Sequence, residues 1–109
     1  MINWNLYNRR VKKLSIAMTD VANSFRDMTE THVDDIKAVR VNLKAYDKAS
    51  KVALRVCNEC CVDFSSVLAI TDNNYNDTMK NICLSTPTVA GIMESCVMVE
   101  SEVNENEAE

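Results

Sequence analysis

The hydrophobic positions of the chain fall into one long stripe. Stepping by four and three from Tyr7 gives Val11, Leu14, Met18, Val21, Phe25, Met28 and His32. After one extra step of four the rhythm resumes at Ile36, Val39, Leu43, Tyr46, Ser50, Ala53, Cys57, Cys60, Phe64, Val67 and Thr71. None of these nineteen positions is Asp, Glu, Lys or Arg, although 26% of the chain is charged. A repeat averaging about 3.5 residues marks a helical stripe shaped to meet another helix. Two consecutive steps of four are a stutter, which locally unwinds a supercoil without ending the helix.

The pattern predicts a first helix from residue 3 to about 30 and a second over 36–71. Between Met28 and Asp35 two readings compete. The stutter carries the stripe through with no Gly or Pro, so a continuous or kinked helix is expected. From Tyr7 to Thr71 it would measure about 100 Å and need a partner along its length. Alternatively Thr31, with Asp34 three residues on, resembles a capping box that would break the chain near His32 into a hairpin. The turn-forming cluster from Thr71 to Asp77 ends the long element. A short helix over about Asn76–Leu84, a linker at Ser85–Thr88 and a turn or two of helix within Ile92–Val99 complete the expectation. Glu100–Glu109 has too little apolar content to order itself. The expected fold class is all-α: long amphipathic helices forming a coiled coil, helical hairpin or bundle over 1–84. A linker and an acidic, largely disordered tail are expected over 85–109.

Composition supports the helices. With 109 residues there is room for one small domain whose core would be marginal, so a partner or self-association would help cover the stripe. Gly91 and Pro87 are the single Gly and Pro, and nothing before residue 86 breaks a helix by those means. Three Tyr, two Phe and one Trp are few for a β-sandwich. The net charge of −4 is unevenly spread: residues 81–109 carry six acids and no Lys or Arg, leaving the body mildly basic.

The N-terminus lacks the pattern of a secretory signal, because Asn alternates with Ile2, Trp4 and Leu6 and Arg9-Arg10 follow. The densest apolar run, Val52–Ile70, holds Arg55, Glu59 and Asp63 at four-residue spacing, as expected of a soluble helix and not a membrane span. A cytoplasmic location with reduced thiols is therefore expected, and the Asn76-Asp77-Thr78 sequon then carries no glycosylation meaning.

Cys57, Cys60 and Cys61 are the first candidate for chemistry. Thiols three apart on a helix face the same way, and zinc takes four such ligands. No second close pair exists, since Cys83, Cys96 and His32 stand apart. The expectation is buried thiols acting as small hydrophobes, with a metal shared across a dimer or a redox role as alternatives. His32, on the stripe at the stutter, is expected to be a packed core residue, with a pH-dependent register switch as its functional alternative. No catalytic residue, metal site or cofactor is expected, and the chain reads as a non-enzyme.

Lys37, Arg40, Lys44, Lys48, Lys51 and Arg55 are separated by three, four, four, three and four residues, which stacks all six on one helix face. Such a line can hold anionic lipid head groups or an acidic protein. The plain reading is a solvated face partly paired with Asp34, Asp47 and Glu59. Nucleic acid is not expected, because the chain is acidic overall and no aromatics interleave the line.

The segment from Val33 through Asp34-Asp35-Ile36-Lys37 to Tyr46-Asp47-Lys48-Ala49-Ser50 resembles a helix of BAR domains of the type that precede pleckstrin-homology modules. The resemblance implies a curved antiparallel dimer of helices that binds anionic membrane, here through Lys37, Arg40, Lys44, Lys48 and Lys51. The residues themselves point first to a helical interaction protein, an adaptor or scaffold subunit of a larger assembly. Its partners would be other helical subunits or a second copy. The expected interface is the stripe at Val11, Leu14, Met18, Val21, Phe25, Ile36, Val39, Leu43, Tyr46 and Phe64. A membrane-binding dimer using the basic line is the alternative.

Overall fold

A computed structural model describes residues 1–68, 71 and 75–97. Its helices are α1 (Trp4–Glu30), α2 (Ile36–Glu59), α3 (Phe64–Leu68), α4 (Tyr75–Leu84) and α5 (Thr86–Ser95). Among the described residues no strand forms, and one isolated antiparallel bridge joins Ile2 to Val97. The expected disorder of Glu100–Glu109 and the end of the Ile92–Val99 segment lie outside the described residues.

α1 begins where Asn3 accepts the Leu6 amide through its side chain at 3.1 Å, supplying a cap that the basic first turns lack. It ends at Thr31, whose hydroxyl donates to the Asp27 carbonyl at 2.6 Å. The stripe does not continue as one helix. Thr31–Asp35 is a tight break, and α2 then packs along α1 with its contacts in reverse order. Asn42 donates to the Asp27 carbonyl and to Thr31 Oγ1, Phe25 meets Tyr46 with ring centroids 5.9 Å apart, and Lys13 pairs with Glu59 at 3.0 Å. The capping reading was right in kind and wrong in residue: the cap is Asp35, which accepts the Ala38 amide at 3.1 Å. His32 consequently sits in the break, exposed, with its Nδ1 3.5 Å from Asp34, and is not a core residue.

The second helix is also shorter than its pattern. α2 stops at Glu59 and Cys61 takes φ +57°. The Cys61 amide donates to the Asn58 carbonyl at 3.3 Å and the Val62 amide to the Cys57 carbonyl at 3.0 Å. This is a Schellman ending with Cys where Gly is usual, which is why it is silent in the sequence. Asp63 belongs to no helical polar line: its carboxylate accepts the Ser66 amide and hydroxyl at 3.1 Å and starts α3. Ser85–Thr88 is not a linker, because α5 starts there with Pro87 in its first turn, a position where the missing N–H costs nothing.

The core lies at one end of the molecule. Leu6, Val11, Leu14, Ala17, Met18 and Val21 of α1 are buried with Ala53, Val56, Cys57 and Cys60, and with Val67, Ile82, Ile92 and Cys96. α1 is the central element, packed by α2, α4 and α5 in turn. At the far end α1 and α2 continue alone, and between Ala22 and Val52 no residue is fully buried. The molecule is accordingly elongated, 58 × 25 × 19 Å.

Candidate interaction surfaces

The expected interface divides in two. Val11, Leu14, Met18 and Val21 are covered by the chain's own helices and cannot face a partner. Val39, Tyr46 and Phe64 are half-buried, Phe64 at the start of α3 and not at the end of a long helix. Phe25, Ile36 and Leu43 remain 50%, 61% and 49% exposed.

The division follows from which column of α2 meets α1. The residues turned inward are Val39, Asn42, Tyr46, Ala49, Ala53, Val56 and Cys60, alternating by three and four, with Cys57 buried beside them. Four of the seven, Val39, Tyr46, Ala53 and Cys60, belong to the expected stripe. The other three, Asn42, Ala49 and Val56, stand one position to the side of the stripe residues Leu43, Ser50 and Cys57. Asn42 wins this place over Leu43 because its amide ties α2 to the end of α1. Small Ala49 and Ala53 then let the backbones come close. A polar residue at a seam position was the signal that sequence reasoning passed over.

The arm formed by residues 22–52 thus shows apolar surface on two edges of α2. Ile36 and Leu43 lie on one, with Leu54 just beyond the arm on the same edge, and Val41 and Val52 on the other, all exposed. On the first side a groove of about 320 Å³ opens between α1, α2 and α3, lined by Val21, Ala22, Phe25, Tyr46, Leu68 and Thr71. On the second side lie two furrows between α1 and α2. One, of about 410 Å³, is lined by Leu6, Arg9, Arg10, Lys13 and Glu59; the next, of about 230 Å³, by Ala17, Asp20, Ala45, Lys48, Ala49 and Val52.

The basic line keeps its place. Lys37, Arg40, Lys44, Lys48, Lys51 and Arg55 are all exposed, on the side of α2 opposite its inward column. Of the acids expected to pair with them, Asp47 does so, meeting Lys51 at 3.0 Å. Glu59 instead reaches across to Lys13, and Asp34 stands by His32.

Cys57 and Cys60 are buried against the core. Burial pushes the Cys57 thiol up to about 12, helped by the negative charges near it at Cys60 and Asp63. It pushes Cys60 up to about 11, the nearby Arg10 and Lys13 partly offsetting the effect. Both are protonated at neutral pH, the opposite of an activated nucleophile. Cys61 is exposed, and among the described residues no three His, Cys, Asp or Glu side chains gather as a metal site requires. No described helix is long and apolar enough to cross a membrane. No family model, curated protein or solved structure matches the chain.

Proposed function

We propose that the chain is a non-enzymatic helical interaction protein, an adaptor or scaffold subunit of a cytoplasmic assembly. In this reading α1 and α2 form an antiparallel, coiled-coil-like hairpin whose arm is presented to another helical surface. The observation that carries it is the tip of the arm: residues 22–30 of α1 against the first turns of α2, some 13 Å of paired helix at about 1.5 Å per residue, without one fully buried side chain. Two helices cannot by themselves enclose an apolar column, and Phe25, Ile36 and Leu43 are left half open to water. Covering the open half of Leu43 would contribute about 1 kcal/mol, more than most exposed ion pairs supply.

The test is capture of partners by the full-length chain and by its Leu43→Asp variant. A buried, unpaired carboxylate at this place should reduce capture by well over tenfold, while helicity by circular dichroism stays at the parent level. Equal capture by the two proteins refutes the reading.

A second reading has its own observation. Six exposed cations lie on one face, with Asp47 on Lys51 the single ion pair they make among the described residues, and such a face suits an anionic membrane, as the BAR-like segment would imply. Here Lys44→Glu with Lys48→Glu should abolish sedimentation with phosphatidylserine vesicles and leave Leu43-dependent capture intact. Failure of the parent protein to bind those vesicles at low salt removes this reading.

A further inference from the structure

We propose that the acidic segment 98–109 of this chain seats in the furrow between α1 and α2 that begins at Arg10. Three observations lead there. The first is where the segment starts. The Asn3 amide donates to the Cys96 carbonyl at 3.0 Å, Ile2 bridges Val97, and the Arg10 guanidinium donates to the Ser95 carbonyl at 2.6 Å. The chain therefore leaves the described body against the first turns of α1, beside the furrow lined by Leu6, Arg9, Arg10, Lys13 and Glu59.

The second observation is charge. Residues 98–109 carry Glu100, Glu102, Glu105, Glu107 and Glu109 and no Lys or Arg, whereas Arg9, Arg10, Lys12 and Lys13 crowd into little more than one turn of α1. No acid sits in the first turn of that helix. Carboxylates laid there would offset both the cation cluster and the helix dipole.

The third is shape and reach. Leu6, Arg9, Arg10 and Lys13 share an edge of α1 with Ala17 and Asp20, so the two furrows follow one another along the same side of the helix. The second is floored by Ala17, Ala45, Ala49 and Val52 and rimmed by Lys48 and Asp20. Val99 and Val103 are interspersed with acids in the segment, matching an apolar floor with Lys48 at its rim. From Arg10 to Asp20 is about 15 Å along the helix. Twelve residues reach about 18 Å as a helix and about 40 Å extended, so both furrows are within range either way. Ala45 and Val52 stand half a turn around α2 from Ile36 and Leu43. The segment would cover the edge that the proposed partner contact leaves bare, and would set a local negative charge against Lys48 of the basic line.

Zero-length carbodiimide cross-linking of the full-length chain at low salt, read by mass spectrometry, tests the proposal. The Lys13–Glu59 pair reports that the reagent has worked. Links from glutamates of 100–109 to Lys12, Lys13 or Lys48 are expected, within one chain when light and heavy isotope-labelled protein are mixed, and lost at high salt. In parallel, Glu100, Glu102 and Glu105 changed to Gln should shift the amide resonances of Lys13, Ala17, Ala45 and Ala49 and leave those of Ile36 and Leu43 in place. The proposal is overturned by Lys13–Glu59 links without tail links, by links only between chains, by links to Lys37, Lys44 or Lys51 instead, or by unmoved furrow amides.

Discussion

Gly91 offers a test of how α5 meets the end of α2. It lies within a helix and shows no positive φ, so a local helix argument recommends Ala there, with a gain of up to about 1 kcal/mol. The packing argument gives the opposite sign. A Cβ at 91 would collide with the Cys61 carbonyl oxygen, stand 2.7 Å from Val62 Cγ1 and 3.1 Å from the Cys61 carbonyl carbon. Those backbone atoms are pinned by the Schellman bonds from Cys61 and Val62, so they cannot swing aside as a flexible side chain would. Overpacking of this sort costs about 1–3 kcal/mol, and the net expectation for Gly91→Ala is a loss of about 1–2 kcal/mol after the helical gain is deducted. At about 4–8 °C per kcal/mol for a small domain, thermal unfolding followed by circular dichroism resolves it easily. Ala90→Gly, one residue earlier and exposed, is the control, losing up to about 1 kcal/mol through helix preference alone. Adding Val62→Ala to Gly91→Ala should recover little, since the carbonyl contact persists. A Gly91→Ala protein as stable as the parent refutes the close approach of α5 to this turn.

Three further outcomes are expected. Cys61→Gly should raise stability by about 0.5–1 kcal/mol in urea titration, because an exposed non-glycine residue at φ +57° gives up strain and little packing. Leu14→Ala should lower stability by about 2–5 kcal/mol as a fully buried side chain, whereas Leu43→Ala, half exposed, should cost the isolated chain under about 1 kcal/mol. Cys57 and Cys60 should make the fold sensitive to alkali. Their folded values of about 12 and about 11 lie above the ordinary 9.0. The unfolded chain thus loses those protons first, and stability falls as pH rises from 9 through the folded values, at a limiting slope of about 1.4 kcal/mol per pH unit per thiol. Replacing both by Ala should flatten the profile between pH 9 and 11. At neutral pH only Cys61, among the four described thiols, should alkylate rapidly in the native state.

The sequence was readable where burial was the only demand on a residue. Val11, Leu14, Met18 and Val21 are apolar at the right spacing and lie in the core. Legibility failed where backbone hydrogen bonds decided the outcome. The stutter at His32 is compatible with a continuous helix, and its end is settled by Thr31, Asp35 and Asn42 acting on backbone atoms. The stop at Glu59 depends on Cys61 accepting a conformation usually given to Gly, with Asp63 restarting the chain. The Asp63-to-Ser66 spacing was a detectable cap signal. The Cys61 turn was not, because the glycine that accommodates it is Gly91, thirty positions away.

The same contrast bears on the interaction reading. A stripe of period 3.5 on α2 contains two columns, and one helix partner uses them unequally. The column of Val39, Tyr46, Ala53 and Cys60 is consumed within the chain, and Asn42 and Ala49 complete that contact. The column of Ile36, Leu43, Ser50 and Cys57 is split: Cys57 and the Ser50 hydroxyl are buried within the chain, whereas Ile36 and Leu43 are large, apolar and exposed. If those side chains serve an external partner and not this fold, polar residues at 36 and 43 should cost the isolated protein almost nothing, and charged residues should improve its solubility. Ile36→Lys with Leu43→Lys therefore separates the two origins. An unchanged unfolding midpoint together with lost partner capture assigns the two side chains to an external helix. A collapse of the midpoint by several degrees assigns them to this chain, and the arm then encloses its own apolar residues after all.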